Sequence, residues 1–157
     1  MAVVLSVSCV PCAHRQRGAS QLTTNMKRNI QMSANRSGHM SAEVITTDGS
    51  MQFRVTDGLD FYQQSNIHCI EADNGQGTAF LVYLPIGIQS GSFSLELNGT
   101  TPMVIHVSGN SEAELYPGTL ELTVGGDAQF AGRFSGTDAN GLQVSNGSFR
   151  LENEAGA

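Results

Sequence analysis

The chain of 157 residues has no tryptophan, one lysine (Lys27) and three cysteines, and no apolar run approaches the length of a membrane-spanning helix. That last absence excludes an integral helical membrane protein. Only 14% of the residues are charged and 18 are glycine, which argues against coiled coils and charged disordered tails. The length suits one ordinary domain built around a single hydrophobic core.

Charge is missing in a patterned way. Residues 1–39 contain Arg15, Arg17, Lys27, Arg28 and Arg36 and no acid, a net +5. Residues 40–157 contain three basic residues (Arg54, Arg133 and Arg150) against fourteen acids, a net −11, and no lysine. All ten aromatic residues fall between Phe53 and Phe149. A segment without aromatics or apolar periodicity cannot bury enough surface to offset its ordering entropy. The expectation is a disordered or removable basic tail over 1–42 and a single domain over 43–157. The stretch AVVLSVSCVPCA (2–13) lacks the positive n-region of a secretory signal, and Ser6 stands where a lipobox before Cys9 needs a leucine-like residue. The tail is Arg- and Ser-bearing and acid-poor, like a transit peptide. An over-extended start, with Met26, Met32 or Met40 as the true one, is the favoured reading.

The body alternates apolar and polar residues in short runs: Met51–Val55, Phe93–Leu97, Leu120–Val124 and Phe149–Leu151. This is the period of half-buried strands. TAFLVYL (78–84) and MVIHV (103–107) are more continuously apolar, as in strands covered on both faces. Asp48-Gly49, Asp57-Gly58, Asn98-Gly99 and similar pairs mark hairpin corners. The pattern predicts eight or nine strands near 43–47, 51–56, 66–73, 78–84, 91–97, 102–107, 118–124, 128–135 and 142–151. Helical turns are expected only near 57–64 and 110–115. The predicted fold class is all-β, an antiparallel β-sandwich or barrel-like sheet. Gly-Ser-Phe-Ser-Leu-Glu at 91–96 reappears as Gly-Ser-Phe-Arg-Leu-Glu at 147–152, with a looser copy at Gly132-Arg133-Phe134-Ser135. Irregular spacing excludes a solenoid, and the copies read as hairpin strand starts.

Gly118-Thr119-Leu120-Glu121-Leu122, Gly132-Arg133-Phe134-Ser135 and Val144-Ser145-Asn146-Gly147-Ser148-Phe149 give a resemblance to a known group. Over about 66–152 the chain is similar to small uncharacterised bacterial all-β domains often found in envelope lipoproteins. The resemblance implies an all-β fold and an envelope location and brings no catalytic residues. This chain departs from the pattern in having no lipobox cysteine. Without the resemblance, the absence of a convincing signal peptide points to the cytoplasm.

Motifs for chemistry are sparse. Cys9, Cys12 and His14 form half of a metal or redox pattern, but no second CxxC completes four ligands. On a strand, His68 and the adjacent Cys69 point to opposite faces, and Cys69 shares its face with Ile67, so a buried thiol is expected. His106 faces away from Ile105 and Val107, and a lone strand histidine reads as surface or hydrogen-bonded core. No nucleophile elbow is present. Asp57, Asp60 and Tyr62 form one candidate ligand or partner patch, and Glu112, Glu114 and Tyr116 another. Neither patch has calcium-loop spacing. No cofactor or metal is implied, and the lysine-free −11 body disfavours nucleic acid. The sequence leaves three functions open. The first is a non-catalytic binding or structural module. The second is an acidic inhibitor or immunity-type protein docking on a basic partner. The third is a carbohydrate-active enzyme pairing Asp57 with Glu112 or Glu114.

Overall fold

Two-residue periodicity becomes strands throughout the computed structural model, which describes residues 34–97 and 102–154. The described residues all lie in the compact unit Gln31–Ala157. They form β1 (Ala34–Arg36), β2 (Gly38–Thr46), β3 (Gly49–Val55), β4 (Leu59–Gln64), β5 (Ile67–Asp73) and β6 (Thr78–Pro85). After these come β7 (Gly91–Leu95), β8 (Met103–Ser108), β9 (Ser111–Val124), β10 (Ala128–Asp138) and β11 (Gln143–Glu152). No helix occurs among the described residues. All pairings are antiparallel, in the order β1-β4-β5-β6-β8-β9-β10-β11-β2-β3, and β7 joins the second part of β9. The sheet curls into a half-barrel whose concave face holds one continuous core.

Both expected helical turns are extended: the first is the additional strand β4, and the second lengthens β9. Leu59-Asp60-Phe61-Tyr62 alternates in β4, with Leu59 fully buried and Asp60 exposed. Ser111–Leu115 opens the fourteen-residue β9, with Ala113 and Leu115 buried and Glu112 exposed. The helix preference of Glu and Ala is small beside a full ladder to β8 and two buried side chains. The remaining addition is β1. It pairs with β4, while β2 begins at Gly38 and buries Met40 and Ala42 in the core. The part of the expected tail from 34 to 42 is therefore folded, and the rest of that expectation lies outside the described residues. Apolar residues were spaced too sparsely before Ala42 to reveal these strands by period. A chain beginning at Met40 would lack β1 and the start of β2.

Arg36 explains how so short a strand is held. Its guanidinium donates to the Gln129 side-chain oxygen at 2.8 Å and the Glu152 carbonyl at 2.9 Å, and lies 5.4 Å from the Phe61 ring centroid. The β1 edge is thereby tied to the ends of β10 and β11.

The repeated Gly-x-Phe motif has a tertiary meaning. In the β10–β11 ladder, Gly132 faces Phe149, Arg133 faces Ser148, and Phe134 faces Gly147. Each glycine clears space for the ring opposite: a Cβ on Gly132 would sit 2.6 Å from the Phe149 ring. Leu95 of β7 occupies the space over Gly118 of β9 in the same manner. The rings fill the concave face, where Phe134 packs 5.6 Å from Phe80 and Phe80 packs edge-on to Phe53 at 5.0 Å.

Candidate functional site

The convex face over β4, β5, β6, β8 and the start of β9 is where the candidate residues meet. Register alignment gives three rows. One runs Tyr62, Cys69, Tyr83, Met103. The next runs Asp60, Glu71, Leu81, Ile105, Glu114. The third runs Asp73, Ala79, Val107, Glu112. The middle of this face is apolar and its margins are carboxylates. Between Arg54 and Arg133 the sequence has neither lysine nor arginine, so none of the strands β4 to β9 carries one, and Arg54 meets the face only at the cleft beside Asp60, Glu71 and Asp73. The three arginines of the body all lie in the other half of the sheet, with Arg133, Ser148, Ser41 and Arg54 in one register row.

TAFLVYL was expected to be covered on both faces. Phe80, Val82 and Leu84 do point into the core, but Leu81 and Tyr83 remain half-exposed on the convex side. Cys69 and Ile105 are nearly enclosed there, at 3% and 7% exposure. Cys69 is thus a buried free thiol on the opposite face from His68, and burial pushes its ionisation up.

The acids act on the tyrosines between them. Tyr62 donates its hydroxyl to the Glu71 carboxylate at 2.5 Å. Burial, followed by this bond and the Glu71 charge, raises the Tyr62 phenol far above its ordinary value. Tyr83 is pushed up to about 12, chiefly by burial and then by the Glu71 charge, with a smaller contribution from Glu112. Unfolded tyrosines ionise near 10, so the stability carried by these neutral phenols is present below pH 10. It is lost as pH rises through 10 towards the raised native values. Tyrosinate absorbance should show Tyr62→Phe and Tyr83→Phe each removing a late-titrating phenol. Ionisation of both near pH 10 in the folded protein would contradict this account.

Asp60 and Tyr62 on β4 and Glu112, Glu114 and Tyr116 on β9 thus border one surface, but on opposite sides of it. Asp60 and Glu114 share a row separated by four strand spacings, roughly 19 Å along the sheet. Glycosidase carboxylates stand about 5–9.5 Å apart, so this row does not form such a pair. Asp57 lies beyond β4, beside a cleft of about 320 Å³ that Asp60, Glu71, Asp73 and Arg54 also line. Among the described residues, no three His, Cys, Asp or Glu side chains are grouped to hold a metal ion. Cys9, Cys12 and His14 lie outside the described residues.

One pair escaped sequence reasoning. His106 Nδ1 lies 2.9 Å from Asp138 Oδ2, and both side chains are almost fully buried. With Asp138 as its carboxylate, the contact assigns Nδ1 as the donor. The ring stacks on Phe80 at 4.8 Å, and its Nε2 has no hydrogen-bond partner. Asp138 Oδ1 accepts the backbone amides of Asn140 and Leu142, which shapes the β10–β11 turn. In the sequence Asp138 reads only as a turn residue, because its partner is thirty-two positions away. The geometry is that of an oriented imidazole, but its free nitrogen meets core instead of a nucleophile. It joins β8 to the turn.

Compared with known protein families, curated proteins and solved structures, the chain matches none of them. The chemistry of the convex face therefore rests on its own residues.

Proposed function

We propose that this chain is a non-catalytic all-β binding module that docks a basic protein partner through the convex face of β4 to β9. The supporting observation is the arrangement of that face: an apolar centre of Leu81, Tyr83, Met103 and Val107 lies between carboxylates on both margins. An apolar middle with tyrosine and methionine and a polar rim is the usual anatomy of a protein interface. A rim dominated by carboxylates, with Arg54 at one corner, speeds encounter with a basic surface and repels acidic competitors. The neutral, elevated phenols keep the centre uncharged across the physiological range. The acidic-inhibitor reading from the sequence is a special case of the same docking, and the envelope location rests on the resemblance alone.

The test starts with a partner isolated from the source cells on the immobilised full chain at low salt, then purified and titrated calorimetrically. The partner is expected to be basic, and its affinity to fall steeply with salt. Tyr83→Ala should weaken binding at least tenfold, which corresponds to about 1.4 kcal/mol. Glu71→Gln and Glu112→Gln should mainly flatten the salt dependence. An acidic partner, or one bound equally well by Tyr83→Ala, would refute the reading.

A further inference from the structure

The half-barrel ends at β3, which pairs on one side only, with β2. Thr46 opposes Gly49 across the two-residue turn, which makes it the hydrogen-bonded closing pair of the hairpin. Alternation from there aims the amides and carbonyls of Ser50, Gln52 and Arg54 away from β2. Among the described residues, none of these groups has a backbone partner outside the sheet ladders.

Natural sheets protect such edges with lysine, proline, a bulge or extreme shortness. β3 has none of these: it is seven residues long, its register with β2 is unbroken, and Arg54 is its single charge. β1 at the opposite edge has three residues among those described. On the concave side of β3, Phe53 is buried, while Met51 and Val55 are only partly covered against the core. The edge thus leaves open both a hydrogen-bonding row and the rim of the core.

We propose that a second copy of this chain pairs along β3, antiparallel, with Gln52 on the two-fold axis. This register uses all seven residues and sets Gly49 against Val55, Ser50 against Arg54 and Met51 against Phe53 of the second copy. Opposed residues share parity, so concave faces concave and the core continues across the axis. The pairs of Ser50 with Arg54 and of Gln52 with itself fall where the free amides and carbonyls point. The charges also agree, since Arg54 of each copy comes diagonal to Asp48 of the other. The interface is isologous and closes as a dimer. Arg54 at one end of β3 also lines the cleft with Asp60, Glu71 and Asp73 of the convex face, but Gln52 does not, so Gln52→Lys and Tyr83→Ala test the two proposals separately.

The full chain in sizing chromatography with light scattering should run at twice 16.6 kDa across the micromolar range. Gln52→Lys places two ammonium groups on the axis and should give a monomer with an unchanged circular dichroism spectrum. Gln52→Pro removes only an outward amide, is tolerated on an edge strand, and should do the same. In a Cys9→Ser, Cys12→Ser chain, a short bismaleimide should cross-link Gln52→Cys, whose α-carbons would lie about 5.5 Å apart, and leave Thr123→Cys uncoupled. A wild-type monomer at every concentration would overturn the proposal. So would a dimer indifferent to Gln52→Lys, or cross-linking at Thr123→Cys in place of Gln52→Cys.

Discussion

Gly147→Ala is expected to destabilise the protein by about 3 kcal/mol in denaturant unfolding, at the upper end of what overpacking a core costs. A Cβ at this position would overlap the Phe134 ring and lie 2.6 Å from the Phe134 carbonyl oxygen. The ring cannot simply step aside, because it packs against Phe80 and, at 6.4 Å, against Phe149. Backbone movement is opposed by the ladders that β10 makes on both sides. Phe134→Leu removes part of the obstacle, so the double variant Gly147→Ala/Phe134→Leu should lose less than the sum of the singles, by about 1 kcal/mol or more. Gly132→Ala should behave alike through Phe149. A cost below about 0.5 kcal/mol for Gly147→Ala, typical of a neutral surface change, would show that the reciprocal Gly–Phe fit is unimportant.

Asp138→Ala should cost as much or more, about 3 kcal/mol or above, because each buried donor left without an acceptor costs about 1–3 kcal/mol. The substitution strands the His106 Nδ1 proton in the core and takes the acceptor from the Asn140 and Leu142 amides. Asp138→Asn separates these contributions. Its carbonyl can still accept the two turn amides, while its amide group faces Nδ1 and forces the other imidazole tautomer. That tautomer puts an N–H at Nε2, where no acceptor exists. The expected loss is about 1–3 kcal/mol, the cost of one unsatisfied buried group. Nitrogen shifts of the His106 ring should report the Nδ1–H form in the native protein and the Nε2–H form in Asp138→Asn. Equal stability losses for the two substitutions, with no tautomer change, would remove the pair from any structural role.

The candidate patches illustrate where local reading stops. Asp60 and Tyr62 looked like one cluster and Glu112, Glu114 and Tyr116 like another, each from its own neighbourhood. Glu71 lay in the predicted strand 66–73 with no role assigned, and Cys69 read as a buried thiol. The strand order carries Glu71 and Cys69 between those clusters and makes one surface of them. The apolar letters of TAFLVYL showed that both faces of β6 are hydrophobic, but not that the convex one stays open.

Alternation and Asx-Gly corners are properties of neighbouring residues, so they set strand class, most strand positions and the opposite facing of His68 and Cys69 from the sequence alone. The lopsided charge was equally legible, since it needs only counting. Tertiary structure decided the rest. Helix-favouring Ser111–Leu115 became strand because β8 offered a ladder and a core to bury Ala113 and Leu115. The Gly-x-Phe repeats became a fitted pair only in antiparallel register, and His106 met Asp138 only because β8 lies against the β10–β11 turn. Such contacts join residues tens of positions apart. Their energies depend on the register and curl of the whole sheet, which no local window of sequence contains.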